Sequence, residues 1–75
     1  KHEATIPISL ETTSTVRVDL VDILGRVVAQ VMPSTALPPG EHAVAINAGT
    51  LPSGRYIVRV DVDGRVESQK ITLVR

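Results

Sequence analysis

Along most of this chain apolar side chains recur at every second position, the spacing of a pleated strand with one face turned inward. Ile6, Ile8 and Leu10 alternate with Pro7 and Ser9, and because proline donates nothing to a ladder this segment reads as an edge strand. Between Ser14 and Asp22, Val16, Val18 and Leu20 alternate with Arg17 and Asp19, which predicts a strand with one wet face. In residues 26–32, Val27, Ala29 and Val31 alternate with Val28 and Gln30; both faces are partly apolar, so a central place in a sheet is expected. Residues 33–40 hold three prolines and read as a loop. Beyond them His42, Val44 and Ile46 alternate with Ala43 and Ala45, and residues 47–54 form a further turn phrase. The cleanest alternation comes last, with Tyr56, Val58, Val60 and Val62 on one side and Arg55, Ile57, Arg59 and Asp61 on the other.

Glycine-centred phrases separate these segments: Asp22-Ile23-Leu24-Gly25-Arg26, Leu37-Pro38-Pro39-Gly40-Glu41-His42 and Leu51-Pro52-Ser53-Gly54-Arg55-Tyr56. Gly25 and Gly40 read as corners rather than ligand loops. At Asp63-Gly64 a two-residue loop would set Val60 against Glu67 and waste the core face. A three-residue loop over 62–64, with Gly64 left-handed, sets Val60 beside Val66, Asp61 beside Arg65 and Arg59 beside Glu67, and is the register predicted. It would send Ile71 and Leu73 to the charged face, which implies either a bulge at 68–70 or a strand that leaves its partner. Short strands at turn intervals of about 8 to 12 residues predict an all-β fold, an immunoglobulin-like antiparallel β-sandwich of about seven short strands.

Composition agrees. Roughly a third of the 75 residues are Val, Ile or Thr, whose branching at Cβ suits a sheet. At this length the chain holds one core and one domain, residues 1–75. Hydrophobic residues at 43% and charged residues at 21% describe a chain that folds unaided. Net charge is zero and no two basic residues adjoin, so the footprint of a nucleic-acid binder is missing. There is no Cys, hence no disulfide framework and no thiolate metal site, and no apolar stretch long enough to cross a bilayer as a helix. A first residue of Lys1 rather than Met suggests a fragment of a longer chain.

Reactive groups are sparse. His2 and His42 each have only an adjacent Glu, which on a strand points to the opposite face and cannot share a metal ion. Asp61-Val62-Asp63-Gly64 has the outline of a calcium loop, but Arg65 and Thr72 stand where such a loop needs oxygen ligands, so a hairpin turn is expected instead. No Ser or Thr has a recognisable His and carboxylate partner, and no glycine-rich cradle leads a strand into a helix. Catalysis, a cofactor and a small-molecule substrate are therefore not expected. Tyr56, the one aromatic residue, belongs on the core face with its hydroxyl reaching backbone at a corner.

Taken in order, the phrases resemble a known family, the type A C-terminal sorting domains carried by cargo of the type IX secretion system in Bacteroidetes-type bacteria. Val21-Asp22-Ile23-Leu24-Gly25-Arg26 resembles its "vYDilGr" turn, and residues 37–42 resemble its "LpaGxh" phrase. Residues 52–58 are similar to "PxGxYvv", and Gly64 with residues 70–75 resembles the closing glycine and Lys-containing strand. Val21 stands where the family often has Tyr, and Ala45-Ile46-Asn47-Ala48 stands where "sWda" is common. The resemblance implies a secretion signal following a cargo domain. Such cargo crosses the periplasm, is recognised by the type IX machinery, and reaches the cell surface or medium, where a surface sortase commonly removes the signal. It carries the signal role to Gly54, Tyr56, Gly64, Lys70 and Arg75. A sorting domain should finish its polypeptide within a residue or two of Arg75. The alternative is a passive immunoglobulin-like structural or adhesive module, since flagellar hook-capping proteins share a similar "DxxGr" and "GxY" layout.

Overall fold

The computed structural model describes residues 3–47, 49 and 51–74. Six strands follow in order: β1 (Glu3–Leu10), β2 (Ser14–Asp22), β3 (Val27–Leu37), β4 (Gly40–Asn47), β5 (Gly54–Val62) and β6 (Arg65–Leu73). They form two antiparallel sheets, β1-β4 with two strands and β3-β2-β5-β6 with four. The all-β sandwich expected from the alternation is present, with six strands among the described residues where about seven were expected.

Between the sheets lie the fully buried side chains Val16, Val18, Leu20, Ile46 and Val58. Ile6 and Ile8 from β1, Tyr56 from β5 and Leu73 from β6 close the core. The period of two maps onto burial in β2 as far as Val18, beyond which Asp19, Leu20 and Val21 are all buried, and in β5 at Tyr56 and Val58; both strands occupy the middle of the larger sheet with a neighbour on each side. β1 is an edge strand, as Pro7 requires.

Three expectations are corrected. First, β3 is an edge strand, not a central one, and it runs on through residues 33–37, which had read as loop. Its pairing with β2 slips three times; Val16 faces Thr35 and Val18 faces Met32, so Pro33 and Ser34 together oppose Arg17 in a bulge. Bulges rotate successive stretches of β3, so Val28, Ala29, Val31 and Met32 all reach the core despite their neighbouring positions. The two-faced pattern is the signature of those slips.

Second, the β5–β6 hairpin has the two-residue loop. Val62 faces Arg65, Asp61 faces Val66, Val60 faces Glu67 and Arg59 faces Ser68. Asp63 and Gly64 both have positive φ, 52° and 87°, the mirror-image turn whose twist matches that of the strands. Asp61 Oδ1 accepts the Gly64 amide at 2.8 Å, while Asp63 ties the turn to β2 by accepting from the Thr15 amide and donating to its carbonyl. Third, β6 neither bulges nor leaves its partner: the ladder continues unbroken to Gly54 facing Leu73, which brings Ile71 and Leu73 inward beside Tyr56.

The register that looked wasteful costs little because a two-stranded sheet cannot cover a four-stranded one. Among the described residues no strand packs onto the first half of β6, and Arg65, Glu67 and Gln69 are exposed. A cleft of about 870 Å³ opens there between β1 and β6, floored by Ile6, Ile8, Val58 and Val60.

Candidate recognition surface

The residues singled out from the sequence fall into two groups. Gly54 and Tyr56 belong to the interior. The Tyr56 ring is buried and its hydroxyl donates to the Pro52 carbonyl at 2.8 Å, pinning the corner ahead of β5. Gly54 opens β5 with the Tyr56 ring close by; a Cβ there would lie 3.8 Å from Cε2. Gly64 and Lys70 are exposed, one at the hairpin tip and one midway along β6, where Lys70 pairs with Ile57 on the face away from the core. Arg75 and His2 lie outside the described residues. Gly40 starts β4 opposite Leu10, and Gly25 sits in the β2–β3 turn at φ 88°, a conformation a Cβ would strain. Gly54, Tyr56, Gly64 and Lys70 do not converge on one point but share β5, β6 and the turn between them, while Gly25 and Gly40 lie on other elements.

The β2–β3 turn is built around a single carboxylate. Asp22 Oδ1 accepts the amides of Leu24 and Arg26, each at 2.9 Å, and Oδ2 pairs with Arg26 Nε at 2.9 Å. The Gly25 amide donates to the Asp22 carbonyl at 3.0 Å, and the Asp22 amide to that of Arg26 at 2.9 Å. The Arg26 amide foremost, then its guanidinium and the Leu24 amide, hold the Asp22 carboxyl below its ordinary value, outweighing the opposing effect of desolvation.

On the outer face of the large sheet Asp19 is buried, which corrects the reading of a uniformly wet face. Its Oδ2 lies 3.1 Å from Arg17 Nε and 3.8 Å from Arg59 Nη2, so the charge taken out of water sits between two guanidinium groups. His42 is partly exposed, its Nε2 lying 2.7 Å from the Pro38 carbonyl oxygen, and Ser9 hydrogen-bonds Glu41 across β1 and β4. Among the described residues no three His, Cys, Asp or Glu side chains gather as a metal site.

Sequence reasoning left the last strand between a bulge and a departure from its partner; β6 is paired throughout and is one of the two outer strands of its sheet. The same reasoning missed the exposure of Ile23 and Leu24, since a turn phrase was read only as a corner. The exposed polar positions between apolar neighbours were all that could have flagged the cleft.

What the fold defines is a small sandwich whose distinctive features are surface features: an open edge, a tied turn and a polar strand. The family model for secretion system C-terminal sorting domains matches residues 2–74. This chain belongs to that family, and its function is that of a C-terminal signal for type IX secretion. No curated protein and no solved structure matched the chain. Membership selects sorting over the passive-module reading.

Proposed function

We propose that this domain is read in its folded form, at the outer edge of β6, after the cargo ahead of it has entered the periplasm, and that a surface sortase then separates the two. The observation that carries this reading is the position of β6: an edge strand keeps one row of backbone N–H and C=O groups unpaired, and a partner can add a strand there. Lys70 and Arg75 supply the side chains that such a partner touches. Gly54, Tyr56 and Gly64 act at one remove, by holding β5 and β6 in register.

Deleting the last six residues is a poor test, because Ile71 packs against the core and Leu73 is part of it. Lys70→Glu combined with Thr72→Glu changes exposed positions and leaves the interior alone. The double variant, fused behind a periplasmic reporter, is expected to keep its melting temperature and to accumulate in the periplasm. Undiminished export of that variant would remove β6 as the contact.

A further inference from the structure

Among the described residues five large apolar side chains stand exposed, and four of them, Ile23, Leu24, Val27 and Val74, belong to one pole of the sandwich. Val21 faces Val27, Asp22 faces Tyr56 and Gly54 faces Leu73, so the β2–β3 turn, the start of β3 and the end of β6 share that end of the large sheet. With strands about 4.8 Å apart, the row from β3 to β6 is about 15 Å wide. A single partner surface can cover it.

Ile23 and Leu24 are 72% and 74% exposed, and neither packs against the core. Turn tips ordinarily carry Gly, Pro, Asn, Asp or Ser, which suit water and turn geometry. Here two branched aliphatic side chains ride on the backbone that Asp22 and Arg26 clamp from both sides. A clamped convex knuckle has little conformational entropy left to lose on binding, which is the property of a good anchor.

Resting on the sorting function, we infer that the Ile23-Leu24 knuckle is an anchor that inserts into an apolar pocket of a protein of the secretion route, and that the same partner meets the chain's tail at Val74. A protein pocket fits better than a lipid surface. The charges nearest the tip, Asp22 and Arg26, neutralise each other, the whole chain has no net charge, and the sole aromatic ring is buried in the core. The knuckle carries neither the cluster of cations that anionic headgroups attract nor the aromatic ring that settles at a membrane interface.

The test replaces both residues, Ile23→Ser with Leu24→Ser, in the 75-residue chain fused behind a periplasmic reporter. Loss of two buried aliphatic anchors weakens a complex by about a hundredfold. Exported reporter is therefore expected to fall by at least about tenfold, with the melting temperature unchanged. The apolar pair Ile23→Val with Leu24→Met is expected to retain most of the export that the serine pair loses. Normal export of the serine variant overturns the inference, and so does a serine variant that melts well below the parent, since the knuckle would then belong to the fold. Binding of the parent, but not the serine variant, to vesicles of phosphatidylethanolamine and phosphatidylglycerol would also overturn it, in favour of a lipid contact. A parent fusion that is never exported would instead refute the sorting function on which the inference rests.

Discussion

Val58 and Arg59 are neighbours on β5, yet one has no exposure at all and the other keeps 40% of its side chain in water. Val58→Asp forces a carboxylate into an apolar layer with no cation in reach, and chemical denaturation is expected to show a loss of more than about 3 kcal/mol. Arg59→Ala removes only a long, half-exposed contact to Asp19, and the expected loss is below about 1 kcal/mol. Equal losses would contradict the two-sided reading of β5. Asp22 makes a prediction about acid. Its carboxyl sits below the ordinary value of 3.8 because the folded turn prefers the charged form, so its contribution is complete above that value and disappears as pH falls through the lowered one. Asp22→Asn is expected to lower stability at neutral pH and to flatten the acid limb of the stability profile, as followed by circular dichroism from pH 7 downward. An unchanged acid limb would mean that the turn does not feel the charge.

At the scale of elements, the hairpin between β5 and β6 shows how a sound local argument can miss. Matching apolar to apolar across Asp63-Gly64 favoured a three-residue loop, on the assumption that the inner face of β6 is covered along its whole length. It is covered only at the far end, where Ile71 and Leu73 reach the core, and that end together with the positive-φ pair at 63–64 sets the register. Inserting one Gly between Asp63 and Gly64 is expected to misalign β6 and turn Ile71 and Leu73 outward, with loss of amide protection along β6 by hydrogen exchange. Retained protection would show that the far end alone fixes the pairing. β4, β5 and the first half of β2 were legible because each follows a period of two against a covered face. β3 was not, since its slips against β2 break the period and Pro33 hides in a bulge that only pairing reveals. In the candidate surface the corner at Gly25 was readable from its turn phrase. The Ile23-Leu24 knuckle was not, because exposure of a turn is a property of what fails to pack on it.

At the scale of the molecule, the unequal sheets explain why so small a chain has surface character. The two-stranded sheet leaves part of the four-stranded one uncovered, with a cleft between β1 and β6 and β6 as an outer strand. The pole that carries the knuckle also carries the end of β6, which places the two proposed contacts side by side. The most direct test of the central claim is the distribution of a periplasmic reporter fused ahead of residues 1–75, in a bacterium with a working type IX system and in a mutant lacking it. The expected result is reporter at the surface or in the medium of the first and in the periplasm of the second; the same distribution in both would contradict the account.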